Sequence, residues 1–147
     1  MVNEKIKFIV KNSSIDRRGV YTEMFIPMNT ELFHYEGERI SAEEAIRREN
    51  DTTREGIYTF WLNEETAIDG WEQGNISKYL NHSCSPNCHY EIFENRISIF
   101  ASRDIIPEEE LTIDYDYDAD GELVHCLCGT DDCRGYINNV EQFQASS

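Results

Sequence analysis

Cysteine placement constrains this chain more than any other feature. Its five cysteines fall in two clusters. The first is Asn81-His82-Ser83-Cys84-Ser85-Pro86-Asn87-Cys88, and the second is Cys126-Leu127-Cys128-Gly129-Thr130-Asp131-Asp132-Cys133. The second is a C-x-C-x4-C array, three thiols where a structural zinc takes four. Cys84 can supply the fourth. One metal would then join a short C-terminal stretch to the middle of the domain, and a ligand pocket could form between them. A single free cysteine is a common small buried hydrophobe, so the spacing, and not any one thiol, carries the metal reading. Cys88 is left over as a free thiol.

The rest of the chain sets the context for such a site. A length of 147 residues suits one domain with its own core. Hydrophobic content of 39% with 12% aromatics indicates a folded globule. No apolar run reaches the length of a membrane span, so no membrane association is expected. Glu4, Lys5 and Lys7 break up the N-terminus where a signal peptide would have its apolar core. The expected setting is intracellular and reducing, in cytoplasm or nucleus, where thiols serve metals more often than disulfides. Net charge is −16, from 13 basic and 29 acidic residues. That balance repels nucleic-acid phosphates, so direct nucleic-acid binding is not expected. It serves either solubility alone or attraction of a basic protein partner.

Strand patterns dominate. Ile6 to Val10, Gly19 to Thr22 and Glu31 to Tyr35 are short and β-prone. Ser41 to Glu49 is the clearest helix, with Ser41 as N-cap and Glu44 completing a capping box. Ile57 to Leu62 and Thr66 to Asp69 read as strands joined by a turn at Asn63-Glu64-Glu65. Asn75 to Leu80 reads as a short helix capped by Asn75, delivering Asn81 and His82 at its end. His89 to Phe93 and Arg96 to Ala101 form a hairpin through Glu94-Asn95. Leu111 to Tyr115 is the last strand, after a turn at Pro107. The expected fold is a compact, mostly β domain with few short helices.

These motifs, taken in order, resemble the SET domain of protein lysine methyltransferases. The series runs Arg18-Gly19-Val20, Tyr35-Glu36-Gly37-Glu38, Tyr58-Thr59-Phe60, Ile68-Asp69 and Gly74-Asn75-Ile76-Ser77. It continues through the first cysteine cluster, Ala101 to Ile105 and Glu109-Glu110-Leu111-Thr112-Ile113-Asp114-Tyr115. It ends in a post-SET-like segment from Cys126 to Tyr136. Single pieces are weak, but the cysteine motif joined to E-L-T-x-D-Y and C-x-C-x4-C is specific. The resemblance covers residues 6 to 138. It implies small curved sheets with a knot-like C-terminal segment, which composition alone does not show. It divides the chain into a SET domain over 1–117 and a post-SET zinc-binding tail over 118–147. It implies S-adenosyl-L-methionine as cofactor and one structural Zn2+ on Cys84, Cys126, Cys128 and Cys133.

The implied reaction moves a methyl group from a sulfonium to the ε-amine of a lysine. It needs a neutral amine in line with the S–CH3 bond, a dry site, and oxygen acceptors around the methyl. Orientation and electrostatics then supply most of the catalysis. By resemblance, Tyr115 is the catalytic residue and aims its hydroxyl at the methyl and the target nitrogen. An unperturbed phenol is a poor base at neutral pH, so its role is positioning. Asn81 and His82 are implied to contact the cofactor, largely through backbone groups and the Asn81 amide. Tyr58 borders both cofactor and lysine channel, and Leu127 and Tyr136 are implied to lie near the adenine. Tyr90 and Ile113 sit where the family sets how many methyls fit, pointing to mono- or dimethylation. Each of these residues also has a plainer role, as a core aromatic, a strand residue or loop structure.

Two positions depart from the family pattern. Arg17 stands where the first glycine of G-x-G is expected, and Glu108 replaces the glycine of G-E-E-L. Asp16, Arg17 and Arg18 are carried over as backbone contacts to the cofactor. The substrate implied is a lysine in a basic protein or histone-like tail, laid as an extended strand into a groove. Asp116, Asp118 and Asp120 are candidates for an acidic rim. The rival expectation is a non-catalytic SET-like module that binds a partner and has lost its cofactor, an idea that rests on Arg17.

Overall fold

The computed structural model describes residues 1–51, 53, 58–115, 124–131 and 133–138. Ten strands form three small sheets. They are β1 (Phe8–Asn12), β2 (Arg18–Thr22), β3 (Glu31–His34), β4 (Glu38–Ser41), β5 (Thr59–Trp61), β6 (Thr66–Asp69), β7 (Asn81–His82), β8 (Cys88–Phe93), β9 (Arg96–Ala101) and β10 (Glu110–Ile113). The sheet orders are β1-β2-β10-β7, β3-β9-β8 and β4-β6-β5. All pairings are antiparallel except that of β10 with β7. The expected division at 117/118 and the acidic positions Asp116, Asp118 and Asp120 lie outside the described residues. Among the described residues no helix is long and apolar enough to cross a membrane.

Alternation sets which faces are covered. In β9, Ile97, Ile99 and Ala101 turn inward. They meet Val20 of β2, Leu32 and Phe33 of β3, and Leu111 and Ile113 of β10 in one core. Burying an Ile or Leu side chain is worth about 1.5–3 kcal/mol, so this cluster dominates the stability of the domain. Ser98 Oγ is the one buried side-chain polar atom with no partner among the described residues.

Several elements begin or end away from their expected bounds, each for a local reason. The first strand starts at Phe8, not Ile6, because Asn3 makes a turn. Its Oδ1 accepts from the Lys5 N–H at 3.0 Å and its carbonyl accepts from Ile6 at 3.2 Å. The helix α1 (Ala42–Glu49) has Ser41 as N-cap, accepting from the Glu44 N–H at 3.2 Å. The Glu44 carboxylate instead takes Arg47 and Arg48, since charged donors bond it more strongly than a neutral amide. Arg48 then reaches Glu38 at 2.8 Å and the buried Asp69 at 2.7 Å, fastening α1 to β4 and β6. The Asn75 segment is a single 3-10 turn, Ile76–Tyr79, with Asn75 Oδ1 accepting from Ser77. Leu80 is already extended (ψ 120°), so the chain passes straight into β7.

The loop of the first cysteine cluster is sewn to β10. Asn87 Oδ1 accepts from the Thr112 N–H at 2.9 Å, and Asn87 Nδ2 donates to the Glu110 carbonyl at 2.8 Å. Ser83 N–H donates to the Ile113 carbonyl at 3.0 Å. Asn87 thus serves as a substitute strand residue for β10. Beside it, Cys88 is 1% exposed, and burial pushes its thiol up to about 12. A thiol with so little thiolate reacts slowly. In native protein at pH 8, Cys88 should therefore escape alkylation by iodoacetamide and become modified only after unfolding. Peptide mass spectrometry reads this directly, and rapid native labelling of Cys88 would contradict its placement.

Candidate active site and metal centre

The two cysteine clusters come together. The sulfurs of Cys84, Cys126, Cys128 and Cys133 all lie within 4.8 Å of one another. Zinc–thiolate bonds of about 2.3 Å in a tetrahedron separate sulfurs by about 3.8 Å, and Cys84 Sγ lies 3.7 Å from Cys126 Sγ. Backbone N–H groups surround the cluster: Cys128 donates to Cys126 Sγ at 3.4 Å, Arg134 to Cys84 Sγ at 3.5 Å, and Gly135 to Cys133 Sγ at 3.4 Å. Such outer bonds stabilise sulfur charge. Gly129 (φ 71°) and Gly135 (φ 88°) take left-handed conformations that turn the tail around the cluster. Four soft donors in this arrangement fit Zn2+ and could hold a metal ion.

The parallel pairing of β7 with β10 sets the next layer. It places Asn81 opposite Thr112 and His82 opposite Ile113. Tyr115 follows two residues on, and its N–H donates to His82 Nδ1 at 3.0 Å. A neutral imidazole that accepts at Nδ1 carries its proton on Nε2. Nε2 lies 3.5 Å from Cys84 Sγ, so His82 spans from the Tyr115 backbone to a metal-site thiol. Burial pushes His82 down to about 4, against the opposing pull of Asp114 and with the help of Arg134. It is therefore neutral and structural at physiological pH. The Tyr115 ring meets the His82 ring edge-on at 5.4 Å, and its hydroxyl donates to the Leu80 carbonyl.

Asn81 does not hold its amide out to a ligand. Nδ2 lies 2.8–3.1 Å from Glu110 Oε2, the Arg18 and Asp16 carbonyls, and Ser13 Oγ. Buried among four acceptors, it organises the 13–18 loop. The Arg17 carbonyl accepts from Ser13 N–H at 3.1 Å. In a trans peptide the N–H points opposite to the C=O. With the carbonyls of Asp16 and Arg17 engaged inward, the N–H groups of Arg17 and Arg18 face the other way. Arg17 has φ 32°; a left-handed residue in such a loop lets successive N–H groups converge on an anion. That φ is why glycine suits the position. Arg17 keeps the conformation, and its side chain pairs with Asp16 at the surface at 3.1 Å. Glu108 likewise has φ 72°, and its N–H donates to the Thr22 carbonyl at 2.7 Å.

The aromatic positions pack on neighbouring rings. The Tyr58 ring packs on Trp71 with centroids 4.9 Å apart, while its carbonyl accepts from the Tyr35 hydroxyl at 2.6 Å and from Gly70 N–H at 2.9 Å. Tyr90 meets Phe60 edge-on at 4.8 Å, and Phe60 tilts on Tyr35 at 5.1 Å. Ile113 is buried in the main core, against which Tyr90 and Tyr115 both pack. In the tail, Tyr136 pairs with His125, their rings stacked 5.1 Å apart. Leu127 stands away from the domain, 72% exposed.

Five residues that build this site carry no assigned role in the sequence: Ser13 and Trp71, which stand outside the motifs, and Glu110, Asp114 and Arg134, which stand inside them. Glu110 Oε1 accepts from Ser13 Oγ at 2.6 Å and from the Tyr21 hydroxyl at 3.1 Å. Its carboxylate lies over Gly19, where a Cβ would come within 2.3 Å of Oε2. A charge inside an apolar strand pattern, as Glu110 and Asp114 are around Leu111-Thr112-Ile113, was the available signal.

The model of the SET domain family matches residues 17–116. The chain belongs to the SET domain family. A histone-lysine N-methyltransferase of Schizosaccharomyces pombe, H3 lysine-4 specific, is 39% identical over 133 residues, covering 86% of this chain and 14% of that protein. A Candida albicans protein of the same description is 38% identical over 136 residues, again 86% of this chain and 13% of its own length. This SET domain therefore spans only a small part of the curated relatives it matches. A crystal structure of KRYPTONITE in complex with mCHG DNA and SAH is similar with a TM-score of 0.77 and 26% identity, over 90% of this chain and 29% of that one.

Proposed function

We propose that this SET domain is an S-adenosyl-L-methionine-dependent protein-lysine methyltransferase with one structural zinc. The observation that carries the reading is the convergence on the β7–β10 pair of three things: the inward-held 13–18 loop, Tyr115, and the four-cysteine cluster. The relatives' descriptions support a histone lysine as the target, and hence a nuclear, chromatin-associated setting. The strongly acidic chain suits a basic tail.

The cofactor, when bound, supplies an electrophilic methyl on a sulfonium. The chain's residues do the rest by placement. The Arg17 and Arg18 N–H groups are oriented to receive the carboxylate of its amino-acid end, with Asn81 and Glu110 holding the loop from behind. His82 fixes the Tyr115 backbone and thereby the height of the phenol. Tyr115, with its hydroxyl beside the Leu80 carbonyl, defines an oxygen-lined end to the lysine channel, and Tyr58 and Tyr90 form aromatic walls. Tyr90 narrows the channel and favours mono- or dimethylation. Lysine gives up its proton to water in the channel. Cys84, Cys126, Cys128 and Cys133 would hold one Zn2+, which would supply no chemistry to the transfer and would keep the tail carrying Tyr136 against the domain. The reading of a partner-binding module without cofactor rests on Arg17, and Arg17 adopts the left-handed conformation that the glycine would.

The test is calorimetry of the zinc-loaded chain with S-adenosylmethionine, followed by transfer of labelled methyl to a histone H3 tail peptide and to a panel of basic proteins. Saturable binding and lysine labelling are expected. Absence of cofactor binding by folded, zinc-loaded protein overturns the enzyme reading.

A further inference from the structure

Arg134 directly follows Cys133, yet its side chain leaves the metal cluster and enters the domain, where it is 9% exposed. Nη1 and Nη2 donate to Asp114 Oδ2 and Oδ1, each at 2.9 Å. Nε donates to the carbonyls of Tyr136 at 3.1 Å and Asn138 at 2.8 Å, and Nη2 also to that of Ile137. One guanidinium thus gathers three consecutive tail carbonyls and the carboxylate that precedes Tyr115. The carbonyls belong to a small closed unit: Ile137 N–H donates to Val124 O at 2.8 Å, Cys126 N–H to Gly135 O at 2.9 Å, and Val124 N–H to Asn138 Oδ1 at 2.8 Å.

We propose that Asp114 and Arg134 are a positioning pair that latches the cysteine tail onto the catalytic strand, so that the tail's orientation over the site depends on this pair as well as on the metal. This rests on the methyltransferase reading above. The physical reason is the division of labour along the tail. A metal on four sulfurs fixes where Cys133 lies. Gly135, at φ 88°, turns the chain from that cysteine to Tyr136. The segment beyond it is bonded to residues 124–126 of the same tail, and those bonds hold the tail's shape without seating it on the domain. Arg134 supplies that seating by bonding the three carbonyls and tying them to β10's end. Arginine suits this because its planar fork serves a bidentate carboxylate while Nε and a second edge reach other acceptors. Lysine, a single point charge, cannot span both. Removing Asp114 leaves the enclosed Arg134 guanidinium, 9% exposed, without its carboxylate, so the tail should lose its seating on the strand. Arg103 and Glu109 make a comparable pair at the surface, 2.7 Å apart with Arg103 half exposed, and serve as the control.

The experiment uses the whole zinc-loaded chain with Asp114→Asn, Arg134→Lys and the control Arg103→Gln. Three readouts are taken: zinc content, hydrogen exchange at the Val124, Cys126 and Ile137 amides, and S-adenosylmethionine affinity with kcat and KM for the cofactor separately. The expected result is full zinc content, lost exchange protection in the tail, and a cofactor KM raised about tenfold with a smaller change in kcat, in both pair variants. Arg134→Lys should not rescue, and Arg103→Gln should resemble the parent. Retained tail protection in Asp114→Asn overturns the proposal. Loss of zinc in both pair variants also overturns it, because the pair would then be part of the metal site. Hydrogen exchange needs no cofactor, so a chain that never binds S-adenosylmethionine would defeat the enzyme reading while the latch is still decided by the tail amides.

Discussion

Tyr115→Phe is expected to lower methyl transfer by about 10²–10³-fold while leaving S-adenosylmethionine affinity nearly unchanged, the size of effect seen when one preorganised polar group is removed from a reaction centre. The substitution deletes a single oxygen. The ring still packs edge-on against His82 and the backbone N–H still reaches His82 Nδ1, so the frame of the site persists. The hydroxyl's bond to the Leu80 carbonyl is lost, which costs about 1 kcal/mol of stability and is too little to unfold the domain. The hydroxyl is held by the Leu80 carbonyl, so the lost rate is attributed to alignment of the methyl and the amine. Single-turnover transfer, with affinity measured in parallel by calorimetry, separates the two quantities. Unchanged transfer would make Tyr115 an ordinary core aromatic. A matching loss of affinity would instead place its role in cofactor binding.

How much was legible beforehand follows from the range over which each feature is encoded. The hairpin of β8 and β9 is local, and its strands match the expected pattern with only Cys88 added, because alternation and the Glu94-Asn95 turn sit side by side in sequence. The helix was legible from its cap and end charges. The cysteine cluster was legible because ligand spacing is a chemical constraint, and the four sulfurs do converge. What the sequence leaves out is long-range and polar. Asn81 was implied to contact the cofactor through backbone groups and its amide, and the acceptors around that amide come from residues 13–18 and 110, which no spacing rule ties to an Asn-His pair. Arg134 read as part of a tail motif, and only the fold shows its partner to be Asp114. Arg17 departs from the glycine of the family pattern, and only the fold shows that it takes a left-handed φ of 32°. Leu127, implied to lie near the adenine, is 72% exposed between two cysteines of the cluster.

Removing the metal should abolish function well before it unfolds the domain. Chelation, or Cys126→Ser, is expected to eliminate measurable cofactor binding and transfer while the thermal transition of the β core moves by only a few degrees, about what a loss of 1–2 kcal/mol produces in a domain of this size. The asymmetry comes from where the bonds lie. Val20, Leu32, Phe33, Ile97, Ile99 and Leu111 form the core without any tail residue, so its burial survives metal loss. Among the described residues the tail contributes nothing to either buried apolar cluster. Among the described residues it is held by the four sulfurs, by the Arg134 latch and by its own short hairpin. Structural zinc contributes roughly 10–16 kcal/mol of apparent binding energy in small domains, far more than the remaining tail contacts can replace. Serine at 126 leaves three thiolates and a poor fourth ligand, so the site should fail there as it does under chelation. Metal analysis gives the stoichiometry, expected at one zinc per chain, and circular dichroism follows the core while calorimetry follows the cofactor. Active, reduced, folded protein without metal would refute the four-cysteine site. A core that melts together with metal loss would show instead that the tail is part of the folding unit, and that the closure of the site and the stability of the fold cannot be separated.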